Sequence, residues 1–190
     1  MENEYIPLLN CNAGQFLPIP EGDIDCPPDN LLSEVQTIYI SDLANNGAVY
    51  PATWTLTASW TAVIDNAGDS TKIKYLNGKG SVTQADPTER IRAGHRKSYG
   101  ESQYTLTFTL DDSSQLTYDQ LQYMEASSAM VRLWFKTVGG AMFGAPQGII
   151  CNVKRTPFVL NEGEEAYEQY QIILGWKSKT RPVRLAVSPI

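Results

Sequence analysis

Histidine occurs once in the 190 residues, as His95, so a chain-borne histidine metal cage or a Ser/His or Cys/His pair has a single possible base. That base stands between Arg92 and Arg96 in RIRAGHRKSYGE, where the positive surroundings depress its basicity. Cysteine is nearly as scarce. Cys11, Cys26 and Cys151 are an odd number at no metal-ligating spacing. Cys11 and Cys26 flank a Pro- and Gly-bearing segment and are candidates for a bridge, although a reducing compartment favours free thiols. The N-terminal stretch MENEYIPLLNCNAGQFLPIPEGD has neither a basic n-region nor an apolar run long enough for a secretory signal or a membrane span, which predicts a cytoplasmic product. Nucleophile elbows, Walker loops, H-E-x-x-H and G-x-G-x-x-G are all missing. Gly78-Lys79-Gly80-Ser81 superficially resembles a phosphate loop, but no helix follows it and it reads as a hairpin turn. Asp23 with Asp25 lacks the glycine and terminal Glu of a calcium loop, and Asp111-Asp112 reads as the turn into a helix. The expectation is a non-enzyme with no cofactor and no metal.

Basic charge is missing from one end. Residues 1 to 71 carry ten acids and no Lys or Arg, 72 to 97 seven bases and two acids, 98 to 170 four bases and nine acids, and 171 to 190 four bases and no acid. The net charge of -6 therefore hides blocks of opposite sign, which let copies of one chain meet acidic face to basic face; chance clustering on solvated faces is the alternative. The basic stretch Arg90, Arg92, His95, Arg96 and Lys97 with Tyr99 is the candidate inter-subunit loop. The same residues fit nucleic acid, which an overall pI near 4.8 opposes.

An apolar content of 42% suits one core, and the pattern is mainly β. Residues 1 to 32, with Pro7, Pro18, Pro20, Pro27 and Pro28 and six acids, read as an irregular arm, and 33 to 190 as a single antiparallel β-sandwich or barrel with a C-terminal tail. About eight strands are expected. SEVQTIYIS at 33 to 41 alternates partly. Thr53, Thr55 and Thr57 alternate with Trp54, Leu56 and Ala58 in a predicted strand over 53 to 62, and Thr105, Thr107 and Thr109 alternate with Tyr104, Leu106, Phe108 and Leu110. These six threonines are the candidate wet or lumen-facing residues, with ordinary β-propensity as the plainer explanation. Turns are predicted at Asn66-Ala67-Gly68, Asn77-Gly78, Gly139-Gly140 and Asn161-Glu162-Gly163. A last strand runs from about Tyr167 to Trp176. One helix is expected, capped by Thr117 with Gln120, its stripe of Tyr118, Leu121 and Met124 packing near Trp134 or the Phe108 strand. Trp54, Trp60, Trp134 and Trp176 fall on predicted strands and read as core, whereas a sugar-binding module needs such rings exposed.

In order and texture the chain from about 33 to 178 resembles the tail-tube proteins of long-tailed bacteriophages and the related tubes of contractile injection systems. The matching elements are the irregular N-terminal segment, the Thr-alternating stretch at 53 to 62, a loop at 84 to 101, TLTFTLDD at 105 to 112, the single helix, and VRLWFKT at 131 to 137. The resemblance implies two antiparallel sheets with a flanking helix and homo-oligomeric rings of six that stack through loops and arms. It further implies a virion location in the tail after synthesis in the host cytoplasm, other tail proteins as partners, no membrane, and DNA only in passing through a lumen. Hydroxyls and carboxylates on the lumen wall are expected, because a lysine-lined wall would hold DNA. Other virion β-sandwiches (neck, tail terminator, capsid decoration) and a carbohydrate-binding or adhesive module stay open.

Overall fold

The computed structural model describes residues 34–43, 49–64, 72–87, 89–92, 96–111, 114–127, 129–160 and 168–190, with the side chains of 90–98, 116, 158–160 and 168 left aside. The N-terminal arm, Cys11 and Cys26, Asp23 and Asp25, His95, Asp112 and the predicted turns at 66–68 and 161–163 lie outside the described residues.

Alternation of apolar and polar residues builds the architecture directly. Six strands close on themselves in the order β1 (Val35–Asp42), β2 (Lys74–Ala85), β5 (Ser102–Leu110), β10 (Glu168–Ser178), β8 (Ile149–Arg155) and β6 (Met130–Thr137), with β6 pairing back onto β1. Every one of these pairings is antiparallel. Closure removes the free sheet edges that would otherwise template aggregation. Short strands extend this frame: β7 (Met142–Gly144) continues along β6, β11 (Val183–Leu185) adds to β7, and β9 (Phe158–Leu160) pairs the start of β10. The mainly β, antiparallel fold expected from the sequence is the fold observed.

A six-stranded barrel is narrow enough for side chains to fill. Leu106, Phe108, Leu133, Ile172 and Leu174 are wholly buried inside it, and Tyr104 stacks on Trp176 with ring centroids 5.3 Å apart. One end is plugged by α2 (Gln115–Ala126), whose Tyr118, Leu121 and Met124 join the same core, with the Tyr118 and Tyr170 rings 5.7 Å apart. The N-cap is Ser114, whose Oγ accepts from the Thr117 backbone N–H at 3.3 Å, and not Thr117, which is buried inside the first turn. The helix seals the Phe108 side of the barrel; Trp134 belongs to a different cluster.

That second cluster lies outside the barrel, against β1 and β6. Tyr39, Trp54, Trp60, Ile73, Trp134 and Met142 pack there, with Trp60 and Trp134 edge to face at 5.4 Å. Gly144 and Gly148 leave the space that the Trp134 indole fills, since a Cβ on either would stand 2.5 Å and 2.8 Å from its ring. The predicted strand over 53 to 62 is corrected here. Residues 53–55 form a turn and Thr57–Thr61 a short helix, α1, so Thr53, Thr55 and Thr57 are exposed but leave the sheet. The cause is tertiary: buried Trp60 donates its indole N–H to the Trp54 carbonyl at 2.8 Å, which requires the chain to fold back within six residues. Leu56, on the supposed apolar face, is 55% exposed. Local β-propensity yields to the need to satisfy a buried donor.

Asn77-Gly78 is a second correction. Both sit inside β2, and Gly78 is not among the glycines with positive φ. Gly78 and Gly80 face inward, where a Cβ would fall 2.0 Å from the Thr109 carbonyl oxygen and 2.6 Å from Phe108 Cδ2. The glycines admit a close backbone approach and the Phe108 ring, which is a packing role and not a turn role. Gly140, at φ 81°, does make the turn expected between β6 and β7.

Candidate functional site

Strand register divides the outer surface of the barrel into two unlike walls. The β1–β6 wall is covered by the tryptophan cluster. The opposite wall, across β2, β5, β10 and β8, presents Lys79, Ser81 and Thr83, then Gln103, Thr105, Thr107 and Thr109, then Gln171, Ile173, Gly175 and Lys177, then Asn152, Lys154 and Arg155. The inward partners Tyr104, Leu106, Phe108 and Leu110 are buried, so strict alternation holds for the whole of β5. Thr105, Thr107 and Thr109 are half-buried on that wall, where the sequence put them.

Its charge differs from expectation. Among the described residues this wall carries Lys79, Lys154, Lys177 and Arg155 and no carboxylate, whereas hydroxyls with carboxylates were expected of a lumen wall. Lys154 lies across Gly175 and donates from Nζ to Thr105 Oγ1 at 3.1 Å, so one ammonium is held flat on the hydroxyl row. A predicted turn at Asn77-Gly78 hides the alternation of Lys79, Ser81 and Thr83 with Gly80 and Val82, and Lys154 and Lys177 join Lys79 only through strand register.

The connection from β2 to β5 was read as a loop at 84 to 101. It is a two-stranded hairpin, β3 (Glu89–Arg92) with β4 (Arg96–Tyr99), outside the barrel sheet. Its register sets Arg92 opposite Arg96 and Arg90 opposite Ser98, with Lys97 opposite Ile91. Tyr99, 63% exposed at the base of the hairpin, is the described aromatic of this group.

The four tryptophans are buried, at 8% exposure or less, so none offers a sugar-stacking platform. Cys151 is buried with its thiol pushed up to about 12 by desolvation, which removes it as a nucleophile. Tyr39 is likewise pushed up to about 12, first by burial and then by neighbouring Tyr75. No group of three or more metal-ligating side chains gathers among the described residues, and no described helix is long and apolar enough to cross a membrane. No family model matches the chain, and no curated protein matches it.

Proposed function

We propose that the protein is a self-assembling virion structural subunit, a tail-tube or tail-ring protein whose copies close around an axis and stack to make a conduit. The observation that carries this reading is the two-walled barrel: one outer wall sealed by tryptophans, the other a broad row of hydroxyls and scattered ammonium groups. A single barrel conducts nothing, because its interior is filled with Leu106, Phe108, Leu133, Ile172 and Leu174. Any channel has to arise between copies, and the polar wall is the surface suited to face water and passing DNA. Lys79, Lys154, Lys177 and Arg155 make that wall attractive to phosphate, an attraction that salt screens and that runs against the non-binding lumen wall expected from the sequence. The basic β3–β4 hairpin supplies the contact to a neighbour, and the acidic block at residues 1 to 71 is the complementary charge.

The assay replaces Arg90, Arg92, Arg96 and Lys97 with Ser and follows assembly by light scattering. The reading expects assembly to fall by at least tenfold at physiological salt, as for a loss of about 1.4 kcal/mol per contact. Unchanged scattering removes the hairpin from the interface.

A further inference from the structure

The barrel end opposite α2 is open. A cavity of about 940 Å³ enters it between the start of β1, the ends of β2 and β6, and β11. Val35, Tyr104, Phe135 and Phe143 give its wall an apolar, aromatic side, with the Phe135 and Phe143 rings stacked at 5.1 Å, and Ser81, Gln84 and Thr137 are among its polar lining residues. Among the described residues that line it, the charged ones are Lys79, Arg181 and Arg184 against the carboxylate of Glu34. Small barrels normally fill such a mouth with their own side chains. Gly80 lines this cavity, with the Phe108 ring filling the space beside its Cα.

The described chain begins at this rim, because Glu34 and Val35 are themselves lining residues. The segment immediately upstream contains Phe16-Leu17-Pro18-Ile19-Pro20 followed by Glu21, Asp23 and Asp25, with no Lys or Arg before residue 72. We propose that this segment, residues 16 to 25 of the same chain, occupies the barrel mouth, its apolar half in the cavity and its carboxylates on Arg181 and Arg184. Three arguments converge. The pattern of apolar residues followed by acids matches the aromatic side of the cavity and the basic residues Lys79, Arg181 and Arg184 that line it. The 13 residues between Pro20 and Glu34 span up to roughly 45 Å when extended, more than enough to return to the point where the chain leaves the barrel. A tether anchored on the rim also keeps the segment at a high effective concentration there, which favours its own mouth over that of a second copy. Pro18 and Pro20 lower the ordering entropy of docking. The inference does not depend on the assembly reading and stands or falls separately from it.

The experiment uses the full-length chain with a benzophenone amino acid in place of Phe16, irradiated as an equal mixture of ¹⁵N-labelled and unlabelled protein. Links within one isotopic population to peptides containing Val35, Tyr104, Phe135 or Phe143 are expected. The double change R181E/R184E should lower their yield about fivefold, the effect of losing two rim ion pairs. Adding Glu21→Lys, Asp23→Lys and Asp25→Lys to it should restore the yield, which separates lost docking from a damaged barrel. Links elsewhere, links only between labelled and unlabelled chains, or a yield indifferent to both sets of changes would overturn the proposal.

Discussion

Cys151 sits 2% exposed between β6 and β10, its Sγ directed at the Val131 carbonyl oxygen at 3.7 Å. Burial raises its folded thiol to about 12 from an ordinary 9, so the folded state holds a proton that the unfolded chain has lost. The stability this contributes is complete below pH 9 and is lost as the pH rises toward 12, by on the order of 4 kcal/mol for the whole shift. In a C11S/C26S background, the remaining thiol should stay unreactive to a disulfide reagent at pH 8 and react only as fast as the protein opens; a rapid stoichiometric reaction contradicts its placement. The urea midpoint should fall between pH 9 and 11 in that protein and fall less when Cys151 is also replaced with Val. Gly148 makes a second residue-level case. Its φ of 78° and the Trp134 ring 2.8 Å from a notional Cβ mean that Gly148→Ala meets both backbone strain and overpacking. A loss of about 2–4 kcal/mol in chemical denaturation is expected, and a neutral result would show that Trp134 is free to move.

At the level of elements, α2 acts as the barrel's stopper. Ser114→Ala removes the side-chain cap bond to the Thr117 N–H and should cost about 1 kcal/mol, while Leu121→Ala leaves a hole in the barrel core in which it is buried and should cost about 2–5 kcal/mol. Urea titrations of both variants check the ordering; equal small effects would mean the helix does not seal the core. These elements also show what a sequence discloses. β5 was legible because Tyr104 to Leu110 alternate without interruption and both faces have one environment each. The helix stripe was legible for the same reason, although its cap was misplaced by three residues because Ser114 and Thr117 both suit an N-cap. The stretch at 53 to 61 was not legible, since its fold depends on Trp60 finding the Trp54 carbonyl and on Trp134, over seventy residues away, receiving its ring. Asn77-Gly78 misled for a related reason: Gly78 answers to Thr109 and Gly80 to Phe108, contacts that exist only once the barrel has closed.

On the scale of the molecule, the candidate wall was half visible. Its threonines stood out as a periodic row, whereas Lys79, Lys154 and Lys177 come from three strands that only the register of β2, β8 and β10 brings together. Segregated charge was visible from residue counts alone, but the hairpin that displays part of it was not, because four bases within eight residues give little strand signal. The barrel interior is filled by Leu106, Phe108, Leu133, Ile172 and Leu174, so on the proposed reading any passage has to lie between copies. Negative-stain imaging of the purified protein across a concentration series tests this most directly. The account predicts closed rings with a stain-filled centre that stack into tubes as concentration rises; isolated particles of single-subunit size at every concentration would contradict it.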